Sequence, residues 1–253
     1  MKPNARLLLE LRGTGTRAGA TVASRPSPGP STAPRHGPAT QALRSWPHPG
    51  PIPCVNPTST IRSLCVFCGS NDGAAPRYAE LAARTGRSLA ERSIDVVYGG
   101  ANRGLMGRVA DAALAAGGRV HGVLPYGLKA LEVAHEGLTS LEIVDTLHER
   151  KARMTELSDG FVVLPGGHGT LEETFEVLTW LQLAIHSHPI GIVDEGGYYR
   201  HLVAHLDVCV EEGFLRPEHR ALLLVEPELE PLLDRMLAWT PPPRPEWAVR
   251  VTP

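Results

Sequence analysis

The sequence predicts a doubly wound α/β fold, a single parallel sheet with helices on both faces. Short apolar runs alternate with longer stretches whose apolar residues recur at three- and four-residue spacing. Several of the apolar runs pass directly into glycine turns, at Gly69-Ser70, Gly99-Gly100 and Gly166-Gly167. Strand, glycine turn and helix in that order is the layout by which such sheets bind ligands at the carboxyl ends of their strands.

Strands are expected at 63–68, 94–98, 119–124, 141–144, 160–164, 189–193 and 222–225, and helices at 76–92, 104–116, 147–157, 170–185, 198–212 and 228–238. The first strand, Leu64 to Cys68, enters the turn Gly69-Ser70. The second, Ile94 to Tyr98, runs into Gly99-Gly100-Ala101-Asn102-Arg103-Gly104-Leu105-Met106-Gly107. Val109, Ala112, Ala113 and Ala116 then recur at helical spacing, and Gly117-Gly118 ends the pattern as glycine does just beyond a helix. His148-Glu149-Arg150-Lys151 opens the next helix. That run is either a solvated, charged helix end or a pair of cations carried to the rim of the third glycine turn. Arginine grips a phosphate bidentately, whereas lysine acts as a point charge.

The third turn is the most informative. Phe161-Val162-Val163-Leu164 leads into Pro165-Gly166-Gly167-His168-Gly169-Thr170-Leu171-Glu172-Glu173, which opens an amphipathic stretch from Thr170 to Ile185. Glycines let the backbone approach an anion closely, and the helix start presents unpaired N–H groups and the positive end of its dipole. Three such turns at strand ends favour a nucleotide or sugar phosphate as ligand. A carboxylate one helical turn beyond the glycines points to chemistry on that ligand. Thr170-x-x-Glu173 also fits a capping box, the structural alternative to a catalytic Glu173. Along the helix, Leu171, Phe175, Leu178 and Ile185 form one apolar face, and Val177, Leu181 and Ala184 a second. A helix apolar on two sides is buried twice, by its own core and by a partner subunit; burial in the core alone is the alternative.

Composition bounds the rest. The 253 residues carry a formal net charge of −2, which gives no case for binding a nucleic-acid polymer. No apolar run approaches the roughly 20 residues of a membrane span. Residues 24–60 are dense in proline without apolar periodicity, so 1–60 reads as a disordered extension, 61–240 as the folded domain and 241–253 as a second proline-rich tail. Glu10 is the one acidic residue among the first 60, a bias shared with organellar transit peptides, and Leu7-Leu8-Leu9 is too short for a secretory core. The expectation is a nonessential extension, produced by a start codon assigned too far upstream, on a cytoplasmic protein. Cys65 and Cys68 lie on opposite faces of one strand with no second pair to complete a zinc site, and read as buried reduced thiols. His201 and His205 stand one helical turn apart with no glutamate base between them, and no metal site is expected.

Taken together, Cys68-Gly69-Ser70, Tyr98-Gly99-Gly100, Gly104-Leu105-Met106-Gly107, His148-Glu149-Arg150-Lys151 and Pro165 to Glu173 resemble the LOG family. Its members are cytokinin riboside 5′-monophosphate phosphoribohydrolases marked by the motif PGGxGTxxE, and the resemblance spans about residues 61 to 238. Members were long labelled lysine decarboxylases, but no lysine here sits in a setting that suggests a pyridoxal phosphate Schiff base. The resemblance implies a single Rossmann-like domain, a homodimer and no cofactor. It implies hydrolysis of the N-glycosidic bond of adenosine 5′-monophosphate or an N6-substituted analogue, releasing the free base and ribose 5-phosphate. Carried over residue by residue, Arg150 and Glu173 match the catalytic pair. Glu132, Lys151, the run Gly167, His168, Gly169, Thr170, Leu171, Glu172 and Glu173, and Thr179 match substrate-contacting positions. Ser70, Gly100, Gly104, Met106 and Gly166 complete the expected binding set. Ala101 departs from the pattern, since many relatives carry glycine there; the methyl matters only if that residue needs positive φ. Departure of the base leaves an oxocarbenium-like ribosyl cation, which a carboxylate stabilises while positioning water. Arg150 either holds the 5′-phosphate or assists the leaving base. A nucleosidase of broad base tolerance and a non-catalytic nucleotide-binding module are the alternatives.

Overall fold

In the computed structural model, residues 61–128 and 134–243 are described. They form a seven-stranded parallel sheet of β1 (Ser63–Phe67), β2 (Asp95–Tyr98), β3 (Val120–Pro125), β4 (Ser140–Val144), β5 (Phe161–Val163), β6 (Ile190–Val193) and β7 (Leu223–Glu226), in the spatial order β4-β3-β2-β1-β5-β6-β7. The helices are α1 (Pro76–Glu91), α2 (Gly104–Ala115), α3 (Leu147–Glu156), α4 (His168–Gln182), α5 (Arg200–Glu211), the short α6 (Pro217–Arg220) and α7 (Leu229–Leu237). The expected doubly wound fold is thus formed, and each expected strand is found.

Strand order sets the place of the site. The chain builds outward from β1 to β4, then returns through α3 to lay β5 against the other edge of β1. Cys65 pairs in register with Val97 of β2 on one side and with Phe161 of β5 on the other. Helices leaving β1 and β5 diverge to opposite faces, so a crevice opens between the carboxyl ends of these two strands. Alternation along β1 divides the core: Leu64, Val66 and Cys68 pack under α1, α2 and α7, while Cys65 and Phe67 pack under α4 and α5 with Met154 of α3. The two thiols therefore face opposite ways, as expected, and both are buried and unbridged.

Helix ends show where local rules held. Gly117 adopts φ +80°, and the N–H of Gly118 donates to the carbonyl of Ala113, closing α2 at the glycine pair. α4 differs from expectation at both ends: it starts at His168 and stops at Gln182. Its closing residue is Ala184 at φ +55°, with the Ile185 N–H donating to Trp180, a reversal that no glycine announces. The two faces of α4 separate as the periodicity implies. Val177 and Leu181 are buried, whereas Leu171, Phe175 and Leu178 are half-buried and Ile185 is exposed.

Candidate functional site

The three glycine turns converge at this crevice. The Gly69 N–H donates to the carbonyl of Pro165 at 3.0 Å, tying the turn after β1 to the turn after β5. Gly104, at φ +53°, lies so close to the Ser70–Asn71 backbone that a Cβ there would fall 2.3 Å from Asn71 N and 2.4 Å from Ser70 C. Only glycine allows that approach and that dihedral together. Gly100, also at positive φ, lies farther into the sheet, and its carbonyl accepts from the His135 N–H. Ala101 is fully buried and is not among the positive-φ residues, so its methyl is accommodated.

α4 is capped by glycine. Gly167 is the N-cap and no side chain caps the helix, while Thr170 lies inside the first turn. The capping-box alternative for Thr170 and Glu173 is therefore corrected: Thr170 is already helical and cannot fold back on the first turn as a cap does. Its hydroxyl instead lies against Gly166, where an added Cβ would meet it at 2.1 Å. His168 and Gly169 are exposed, and a Cβ on Gly167 or Gly169 would meet nothing within 4 Å, so the helix start is open to a ligand.

The capping box of this chain sits on α3. Thr146 Oγ1 accepts from the Glu149 N–H at 3.1 Å, and the Glu149 carboxylate accepts from the N–H groups of Asp145 and Thr146. That cap fixes where α3 begins and hence where its next residues, Arg150 and Lys151, point. Both are buried, at 8% and 6% exposure, so the solvated-helix-end reading of this run is corrected. Arg150 Nη2 lies 3.6 Å from Glu173 Oε1, and the guanidinium rests on Gly99, where a Cβ would fall 1.9 Å from Nη2 and 2.7 Å from the Met106 methyl. Glycine after β2 is thus what gives the arginine its room. Arg150 Nε is buried without a hydrogen-bond partner. Lys151 Nζ is paired with Glu172 and, at 2.8 Å, with Glu176, so it is held by α4 and not directed at the glycine turns. Burial and then the Glu173 charge push the Cys65 and Cys68 thiols up, which keeps both protonated and unreactive.

Sequence reasoning brought Ser70, Gly104, Met106, Arg150, Gly166 to Thr170 and Glu173 together, and the structure does the same. Glu132 lies outside the described residues. Thr179 stands apart: at about 1.5 Å per residue it is roughly 18 Å along α4 from Gly167, exposed, its hydroxyl donating to the Phe175 carbonyl. Tyr198 and Tyr199 were missed. Their hydroxyls donate to the carbonyls of Gly166 and Leu164 at 2.7 and 2.8 Å, contacts between β6 and β5 loops that no local pattern signals.

Glycine turns and a helix start at the switch point of a parallel sheet, with a buried arginine–carboxylate pair beside them, define an α/β protein of the nucleotide-phosphate-binding class. Comparison with known proteins narrows this. The family described as "Possible lysine decarboxylase" matches residues 106–236. A cytokinin riboside 5′-monophosphate phosphoribohydrolase of Rhodococcoides fascians is 43% identical over 185 residues, covering 73% of this chain and 93% of that one. One from Arabidopsis thaliana is 42% identical over 183 residues, covering 72% and 84%. The chain belongs to this LOG family, as the sequence resemblance implied. Among solved structures, the molybdenum cofactor carrier protein of Chlamydomonas reinhardtii superposes with a TM-score of 0.54 at 18% identity, covering 70% of this chain and 98% of that one. The molybdenum cofactor binding protein of Rippkaea orientalis gives 0.53 at 17% identity, with 70% and 95% covered. At such identities these two likenesses show the fold alone.

Proposed function

We propose that this protein hydrolyses the N-glycosidic bond of adenosine 5′-monophosphates, N6-substituted ones included, to the free base and ribose 5-phosphate. The observation that carries the proposal is the Arg150–Glu173 pair, buried beside three converged glycine turns. The start of α4 and the turn amides hold the 5′-phosphate, so binding energy remote from the reacting carbon aligns it. Glu173 faces the ribosyl cation that forms as the base departs and orients the attacking water. Arg150 orients Glu173 and supplies positive charge to the substrate, with its buried Nε as an unused donor. The activity named for the relatives supports this reading, and Thr170, lying inside α4, does not cap it with Glu173.

A homodimer belongs to the same proposal. The outer face of α4, Leu171, Phe175, Leu178 and Ile185, is apolar and incompletely covered, and Thr179 lies far from its own turns. A two-fold partner on α4 would cover the first and give the second a substrate to meet. Free thiols in the core fit a reducing, cytoplasmic location. No helix among the described residues is long and apolar enough to cross a membrane.

The test is base release from AMP, from N6-isopentenyl-AMP and from adenosine, followed by chromatography. AMP should be cleaved far faster than adenosine, and the ratio of the two nucleotides measures base preference. Equal rates on AMP and adenosine would sink the phosphate assignment, and no release from any of them would leave a binding module.

A further inference from the structure

The segment that follows β6 makes contacts that the proposed chemistry leaves unused. Asp194 accepts from the Tyr199 N–H, which sets two consecutive tyrosines at the crevice. Tyr199 is 3% exposed and donates to the carbonyl of Leu164; Tyr198 donates to that of Gly166. The two bonds straddle Pro165, whose own carbonyl already accepts from Gly69. Proline has no N–H, so this stretch has fewer backbone anchors than a strand end usually offers. The tyrosine hydroxyls replace them.

The same segment also grips the other wall. Tyr198 packs edge-on against Tyr78 in the first turn of α1, with ring centroids 5.6 Å apart. Arg77 lies over the Tyr78 ring at 4.8 Å and beside Gly196, and Arg84 of α1 pairs with Glu195 at 3.1 Å. One short loop therefore touches both α1, which follows the first glycine turn, and the turn that opens α4. These two turns form the two sides of the crevice.

We infer that Asp194 to Tyr199 is a clamp that fixes the Pro165–Gly169 turn relative to the turn after β1, with Tyr198 and Tyr199 as positioning residues for the phosphate-binding amides. The inference rests on the proposed function for what the amides bind, but not for the clamp itself. Because the tyrosines act on the turn and leave Arg150 and Glu173 untouched, their loss should weaken binding and spare the chemical step.

The experiment compares Tyr198→Phe, Tyr199→Phe and the double variant with wild type. Each removes a hydroxyl and keeps the ring, and Tyr198 is 42% exposed, so its variant keeps the core intact. The double variant should raise KM for AMP about tenfold with kcat held within about threefold. Amide hydrogen exchange, followed by mass spectrometry, should quicken in peptides spanning 161–173 while peptides covering β2 and β3 keep their protection. A fall in kcat with unchanged KM, or faster exchange across the whole domain, would mean a general packing role and overturn the clamp. So would wild-type exchange in the 161–173 peptides. If the wild-type protein releases no base, the proposed function fails and the exchange result decides the clamp by itself.

Discussion

Replacing Glu173 by glutamine separates catalysis from architecture at one position. The structure bounds its cost to stability. At an effective dielectric constant of about 20, a pair at 3.6 Å has roughly 5 kcal/mol of gross Coulomb attraction, most of it offset by the desolvation of both groups. Glu172, Glu173 and Glu176 stand together on α4 and face two cations, Arg150 and Lys151. Glutamine removes one of three like charges, and that relief works against the lost pairing. The net effect should be about 1 kcal/mol, a change in Tm of roughly 2–4 °C for a domain of this size. The effect on the reaction should be far larger, because an oxocarbenium-like transition state loses its facing negative charge. Turnover should fall at least ~100-fold, about 3 kcal/mol of lost stabilisation. Base release from AMP under saturating conditions, beside a thermal melt of the same preparation, measures both. Near-normal turnover in a folded glutamine variant would refute the role given to Glu173 and require another group to face the ribosyl cation.

Gly99→Ala should cut kcat/KM at least about tenfold with the fold retained, since the new methyl would occupy the place of Arg150 Nη2; wild-type kinetics would show that Arg150 is not needed where it lies. Deleting residues 1–58 should leave Tm and activity unchanged, as it removes none of the described elements, and a lower Tm would mean that the extension packs on the domain. Light scattering at micromolar concentration should report a dimer, and monomer alone would contradict the proposed role for the outer face of α4. His186 is buried, and that burial, aided by the neighbouring His188, pushes its imidazole down to about 3. It stays neutral in the fold, its Nε2–H donating to the Val177 carbonyl, while the unfolded chain takes up a proton below about pH 6.5. Its contribution is fully present above that pH and is lost as pH falls toward 3, at up to roughly 1.4 kcal/mol per pH unit. His186→Gln should flatten the fall of Tm between pH 7 and pH 5, and an unchanged slope would refute the assignment.

Much of this protein was legible from the sequence, because the relevant signals are local. Apolar runs of strand length, helical periodicity and glycine punctuation each depend on residues a few positions apart, so the alternation, the parallel sheet and the place of the three turns followed directly. The opposite-facing thiols followed from the two-residue period of a strand. What the turns do to one another did not follow. That Gly69 bonds Pro165, that Gly99 makes room for Arg150 and that Gly104 closes on Ser70 and Asn71 are consequences of strand order, and strand order is decided by packing over long sequence separations. Local rules also left alternatives open that only tertiary context decided. Thr170-x-x-Glu173 has capping-box spacing but sits inside a helix started by Gly167, whereas Thr146 and Glu149, unnoticed in a charged run, make the real one. For Arg150 and Lys151 the sequence left a solvated end and a place at the site both open, and the packing of α4 and the turn after β2 against them decided for burial. The sequence determined which residue types stand at which strand ends; only the folded sheet decided which of them meet, because a contact between β6 and β5 loops has no period to read.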